Sequence, residues 1–201
     1  MTARKFNLGF TLVELLIVIG LLGAIALIVI AAINPIEQAN RARDTRFKAD
    51  GGQLISAVDR YFAARSEFPW VTTDVVANND AAYGFVSAGD SGIGICGADC
   101  SVDGVLITND ELKPEFRNRD FIDNHSGTDD SRKLFIGKET GTSESVYACF
   151  IPLSKATRQD AIADAKVYAI STTNGTRTAT TSCDADTANW VTSGCYVCIP
   201  E

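Results

Sequence analysis

Between Phe10 and Ile33 the chain holds one charge, Glu14, in an otherwise apolar run of 24 residues. As a helix rising ~1.5 Å per residue, that run is about 36 Å long, enough to cross a ~30 Å hydrocarbon core. After Asn34-Pro35 the sequence turns polar and mixed. A membrane-length segment is thus separated from a water-soluble remainder, which suits one globular domain with an appendage. Glu14 is the anomaly. A carboxylate at the centre of a spanning helix costs about 2.5–3.5 kcal/mol on insertion scales, and less near an end.

Three targeting readings fit a short basic start, Arg4 and Lys5, followed by an apolar run. A cleaved secretory signal has an apolar core of about 7–15 residues ending in a small-x-small site. Ala24-Ile25-Ala26 has that pattern, yet Leu27 to Ile33 continues apolar beyond it. An uncleaved anchor fits the length and leaves Glu14 unexplained. The third reading cuts after Gly9, removes the basic leader and keeps the whole apolar helix. Arg41, Arg43, Arg46 and Lys48 follow the span closely, so the positive-inside count alone does not orient it.

The third reading is where the residues become specific. Gly9, Phe10, Thr11, Leu12, Val13 and Glu14, behind their basic leader, resemble at every position the class III signal of type IV pilins and type II secretion pseudopilins. The resemblance implies cleavage between Gly9 and Phe10 by a prepilin peptidase and methylation of the new Phe10 amine. It also implies that Glu14 pairs with the amine of a neighbouring subunit during assembly. An opposite charge lowers the cost of a buried carboxylate, while an unpaired one is expensive. The implied domains are a leader at 1–9, a transmembrane and filament-core helix at 10–33, an amphipathic continuation at 34–66 and a β-rich head at 67–201.

Phe47, Leu54, Ile55, Val58, Tyr61 and Phe62 recur at helical spacing, which extends the helix to about Arg65. Pro35 is expected to break it, since proline lacks an N–H and disfavours helix at Asn34. In filaments of the family a stretch near such a proline loses helix on assembly, which makes 33–37 the corresponding stretch. Gly51-Gly52 costs about 1 kcal/mol per glycine relative to alanine, so it is a tolerated weak point or a place of close approach. Tyr61, Phe62, Phe68 and Pro69 resemble the family's aromatic helix end, and the resemblance covers residues 4 to 70.

The head is expected to be α+β, with the long helix packed on an antiparallel sheet. Its strand candidates are 104–108, 133–137, 145–151, 166–171 and 195–199. A helix is expected over 154–165 with Ser154 as N-cap. Long loops are expected over 70–101 and 109–132, and the threonine-rich "STTNGTRTATTS" fits a modified surface or a strand edge, and best an exposed, variable loop.

Six cysteines, Cys96, Cys100, Cys149, Cys183, Cys195 and Cys198, all follow the apolar segment. They fit a disulfide framework in an oxidising space, with fifteen pairings open. The alternative is a structural zinc site from Cys96-x3-Cys100 and Cys195-x2-Cys198. The disulfide reading expects Cys96 with Cys100, and Cys183 closing a C-terminal loop with Cys195 or Cys198. Such a loop resembles the disulfide-bounded region of many type IV pilins.

No phosphate loop, zinc-protease helix or nucleophile elbow is present, and the one histidine, His125, reads as a surface residue. The chain is therefore expected not to be an enzyme and to need no cofactor. Some pseudopilins bind calcium in a C-terminal loop. Asp99, Asp103, Asp110 and Glu111 cluster here, as do Asp184 and Asp186, but neither cluster fits the calcium-loop pattern and no metal residue is assigned. Asn124-His125-Ser126 and Asn174-Gly175-Thr176 have the form of glycosylation acceptors. A net charge of −7 with basic residues interleaved among acids argues against a nucleic-acid partner. The implied role is a structural pilin working with like copies, prepilin peptidase and inner-membrane assembly machinery. Its place is the inner membrane as precursor and the cell surface when assembled. The alternatives are a secretion pseudopilin or a minor DNA-uptake pilin.

Overall fold

The computed structural model describes residues 9–32, 34–71, 79–123 and 127–200. The chain divides into two compact units, residues 1–38 and 39–201. The first holds helix α1, Leu12–Ala32. A second helix, α2, Pro35–Arg65, runs into the second unit. Helix restarts at the expected break for a local reason. Asn34 Oδ1 accepts from Glu37 N at 3.2 Å, and Asn34 O accepts from Gln38 N at 3.2 Å. Asn34 is thus an N-cap, and Pro35 occupies the first helical position, where its missing N–H costs nothing.

In the second unit α2 buries one stripe: Asp44, Phe47, Asp50, Gly51, Leu54, Ala57, Val58 and Tyr61. Those positions recur every three or four residues, the spacing of one helix face. Gly51 lies in the stripe, and Gly52 lies beside it. A Cβ added at Gly51 would sit 3.0 Å from Ile199 Cδ1 and 3.1 Å from Ala148 Cβ, whereas one added at Gly52 would meet open space. Gly51 is therefore where helix and sheet approach closely, and Gly52 is merely tolerated. Past Arg65 the chain turns through Ser66 in the left-handed region, with Ser66 N bonded to Phe62 O, and Phe68 stacks back on Phe62 at 4.4 Å.

The sheet against α2 has four antiparallel strands in the order β1-β2-β3-β6. These are β1 Tyr83–Ser87, β2 Phe135–Lys138, β3 Val146–Phe150 and β6 Val197–Ile199. Ile136, Val146, Ala148 and Phe150 join the α2 stripe in one core, while Phe135, Cys149, Val197 and Cys198 face a second core on the other side. Both faces are covered, which is why "LFIG" and "YACFI" read as unbroken apolar runs. The second core is closed by a small sheet of β4, Tyr168–Ile170, and β5, Arg177–Ala179, with Trp190 at its centre.

Several expectations are corrected. Residues 104–108 form a helical turn, α3, Val105–Thr108, and not a strand. Leu106 and Ile107 are buried there, and a four-residue apolar run does not reveal its own period. The expected loop 70–101 contains β1. The expected loop 109–132 contains a 3-10 turn at Pro114–Asn118 and a helical turn, α4, Asp120–Asp123. The threonine-rich loop contains β5. Helix α5 is Lys155–Ala163, with Ser154 as its N-cap, accepting from Thr157 N at 3.3 Å. A further helix, α6, Thr187–Thr192, starts at Asp186, whose side chain accepts from Ala188 N.

Candidate functional site: the amino-terminal helix and its carboxylate

Helix α1 is apolar around its whole circumference. From Phe10 to Ile30, fifteen large apolar side chains are 46–86% exposed. Fully burying one such side chain is worth about 1.5–3 kcal/mol, so an exposed set of this size demands lipid or other helices. The segment Leu12–Ile30 is long and apolar enough to cross a membrane.

Glu14 sits at the helix start and bonds within its own chain. Its Oε2 accepts from Thr11 N and from Thr11 Oγ1, both at 2.9 Å, and Glu14 N donates to Thr11 Oγ1 at 3.2 Å. Leu15 N donates to Thr11 O, the first helical bond. This reciprocal arrangement is a capping box, written in the sequence as Thr11-Leu12-Val13-Glu14. It satisfies backbone donors at the end of a helix where negative charge is favoured. Glu14 Oε1 has no hydrogen-bond partner among the described residues. Gly9 and Phe10 precede the helix without regular structure, and residues 1–8 of the leader lie outside the described residues.

In the second unit, Arg43 and Arg46 are engaged within the unit. Arg43 bonds Asp44 at 3.0 Å, Ile151 O at 2.9 Å and Ser131 O, and lies over the Phe47 ring. Burial lowers its pKa, opposed by Asp44. Arg46 pairs with Asp120 at 3.5 Å. Asp44, 1% exposed, takes Leu153 N at 3.1 Å and Ser154 N at 2.8 Å, so it ties α2 to the start of α5. Asp50 pairs with Arg119 at 3.5 Å, leaving Asp50 Oδ2 and Arg119 Nε buried without a hydrogen-bond partner among the described residues. Burial raises the Asp50 pKa, and the Arg119 and Arg46 charges only partly offset it.

The cysteines join as Cys96–Cys100, Cys149–Cys198 and Cys183–Cys195. The zinc alternative falls, because Cys195 and Cys198 have different partners. Cys149 and Cys198 are opposite residues in the β3–β6 register, so strand pairing selects that bridge. The acidic clusters are used structurally: Asp103 pairs with Arg117, Glu111 with Arg60, and Asp184 accepts from Asp186 N. Asp110 occupies a left-handed turn. Among the described residues no group of three or more His, Cys, Asp or Glu side chains could hold a metal ion. His125, the Asn124 acceptor and the Asp99 side chain lie outside the described residues.

Residues 4–30 match the family model of the prokaryotic N-terminal methylation motif, the class III signal that is the signature of pilins and pseudopilins. The match is confined to the leader and the apolar helix, and it supports a type IV pilin-like or pseudopilin precursor. No curated protein and no solved structure matches the chain.

Proposed function

We propose that this chain is a pilin, the structural subunit of a type IV pilus-like filament with an adhesive or motility role. The observation that carries the reading is α1: an apolar helix with one carboxylate, which keeps an oxygen free, within a methylation motif that begins at its basic leader. Prepilin peptidase cuts between Gly9 and Phe10, removing Arg4 and Lys5 and creating a positive amine on Phe10. In the membrane α1 is solvated by lipid. On assembly, residues 10–33 leave lipid and pack against like helices, and burial of the exposed apolar side chains supplies cohesion. The unit 34–66 carries the head at 67–201, which covers the filament surface. No cofactor is required.

Thr11 holds one oxygen of Glu14, and the other pairs with the Phe10 amine of a neighbouring copy. A like-charged or unpaired carboxylate in that core is strongly disfavoured, so the pair sets axial register. Glu14→Ala is expected to leave membrane insertion intact and to abolish or slow filament growth. Electron microscopy of cells carrying the variant reads this directly, and normal filaments would refute the register role. Deletion of the whole chain separates the finer roles. Loss of visible pili supports the pilin, while a secretion defect with pili intact points to a pseudopilin. DNA uptake is the weaker alternative, given the net charge of −7.

A further inference from the structure

The turn between β4 and β5 is an odd place for an Asn-Gly-Thr triplet to be decorative. Gly175, at φ +65, is buried against the sheet: a Cβ there would fall 2.0 Å from Lys138 O and 2.6 Å from Tyr83 O. Only glycine satisfies both the backbone angle and the space. The other arm is fixed by Phe85 N donating to Ser171 O at 3.0 Å. Between these anchors Thr172, Thr173 and Asn174 stand exposed.

The side chains of the triplet are already in contact. Asn174 Oδ1 accepts from Thr176 Oγ1 at 2.8 Å and from Thr176 N at 3.2 Å. Asn174 Nδ2 has no hydrogen-bond partner among the described residues. The nitrogen that an N-linked glycan requires is therefore presented outward, with the hydroxyl residue held beside it. The hairpin lies over the sheet face opposite α2, since Tyr168 and Ile170 pack on the second core and the α2 stripe on the first. A bulky group at Asn174 leaves the α2 side untouched.

We propose that Asn174 is an N-glycosylation site, modified from a polyprenyl-diphosphate-linked oligosaccharide on the outer side of the membrane. This rests on the reading above that the head is exported. In the transfer Nδ2 forms a bond to the sugar C1, the C1–O bond to the diphosphate breaks, and the transferase takes the Nδ2 proton. The rival fate of Asn-Gly is deamidation, in which Gly175 N attacks Asn174 Cγ and ammonia leaves. The anchoring of Gly175 against Lys138 O restrains the backbone movement which that ring closure needs.

The test is tandem mass spectrometry of the protein purified from its own cells. Trypsin releases Val167–Arg177, which contains the whole triplet. A glycan mass on Asn174 is expected, lost in Asn174→Gln and Thr176→Ala and kept in Thr176→Ser. An unmodified peptide, a gain of about 1 Da from deamidation alone, or a glycan that persists in Asn174→Gln would overturn the proposal. The same digest reports the N-terminus separately. Bare Asn174 in a chain starting at Phe10 sinks only the glycan. Glycosylated Asn174 in a chain starting at Met1 sinks only the processing.

Discussion

Gly51 and Gly52 are neighbours in one helix, and the structure predicts opposite consequences of changing them. Alanine at either position gains the same helix propensity, about 1 kcal/mol. At Gly52 the new methyl meets open space, so the gain is kept. At Gly51 it meets Ala148 Cβ at 3.1 Å and Ile199 Cδ1 at 3.0 Å. Ile199 can turn its side-chain end aside, but Ala148 is fixed on β3, an interior strand of the sheet. Overpacking of this kind costs about 1–3 kcal/mol. The difference between Gly51→Ala and Gly52→Ala cancels propensity and isolates the packing cost, so Gly52→Ala should be the more stable by about 1–3 kcal/mol. Urea unfolding of the full chain in detergent, followed by tryptophan fluorescence from Trp70 and the fully buried Trp190, measures it. Equal stability of the two variants would refute close helix–sheet packing at Gly51.

Asp44→Ala should destabilise the same unit by about 3–5 kcal/mol, because it leaves the largely buried Arg43 charge without its carboxylate and two backbone donors without an acceptor. The urea midpoint checks it, and a loss under about 1 kcal/mol would contradict the clamp between α2 and α5. Asp50 tests a pH dependence. Its folded pKa is raised above its ordinary value of 3.8 by burial, so the folded state holds the proton more tightly. The group therefore weakens stability at neutral pH, and that penalty is relieved as pH falls through the raised pKa. Asp50→Asn should accordingly gain stability at pH 7 relative to the unmodified chain, with the difference shrinking toward pH 4. Parallel unfolding curves across that range would show the gap, and a constant gap would refute the assignment.

What the sequence revealed tracks how locally each element is determined. The α2 stripe and strands β2 and β3 carry enough regular apolar residues to declare themselves. Strand β1 does not, because "YGFVS" is five residues interrupted by Gly84. It is a strand because β2 and the Ser171 carbonyl supply its partners. Strand β5 is three residues among threonines, paired only with β4. The Cys149–Cys198 bridge depends on the β3–β6 register, which no spacing encodes. At the candidate site the capping box is legible from the Thr11-x-x-Glu14 spacing alone, because both of its bonds lie within one turn of the chain. The partner expected for Glu14 in a filament lies on another copy, beyond what one chain's residues can display.

Cleavage at Gly9-Phe10 removes the basic leader and keeps the apolar helix. Mass spectrometry of the amino-terminal peptide, taken from filaments or membranes of the native cells, tests it most directly. A chain beginning at an N-methylated Phe10, with Glu14 unmodified, is expected. A chain that keeps Met1, or one that begins at Leu27 after Ala24-Ile25-Ala26, would contradict it.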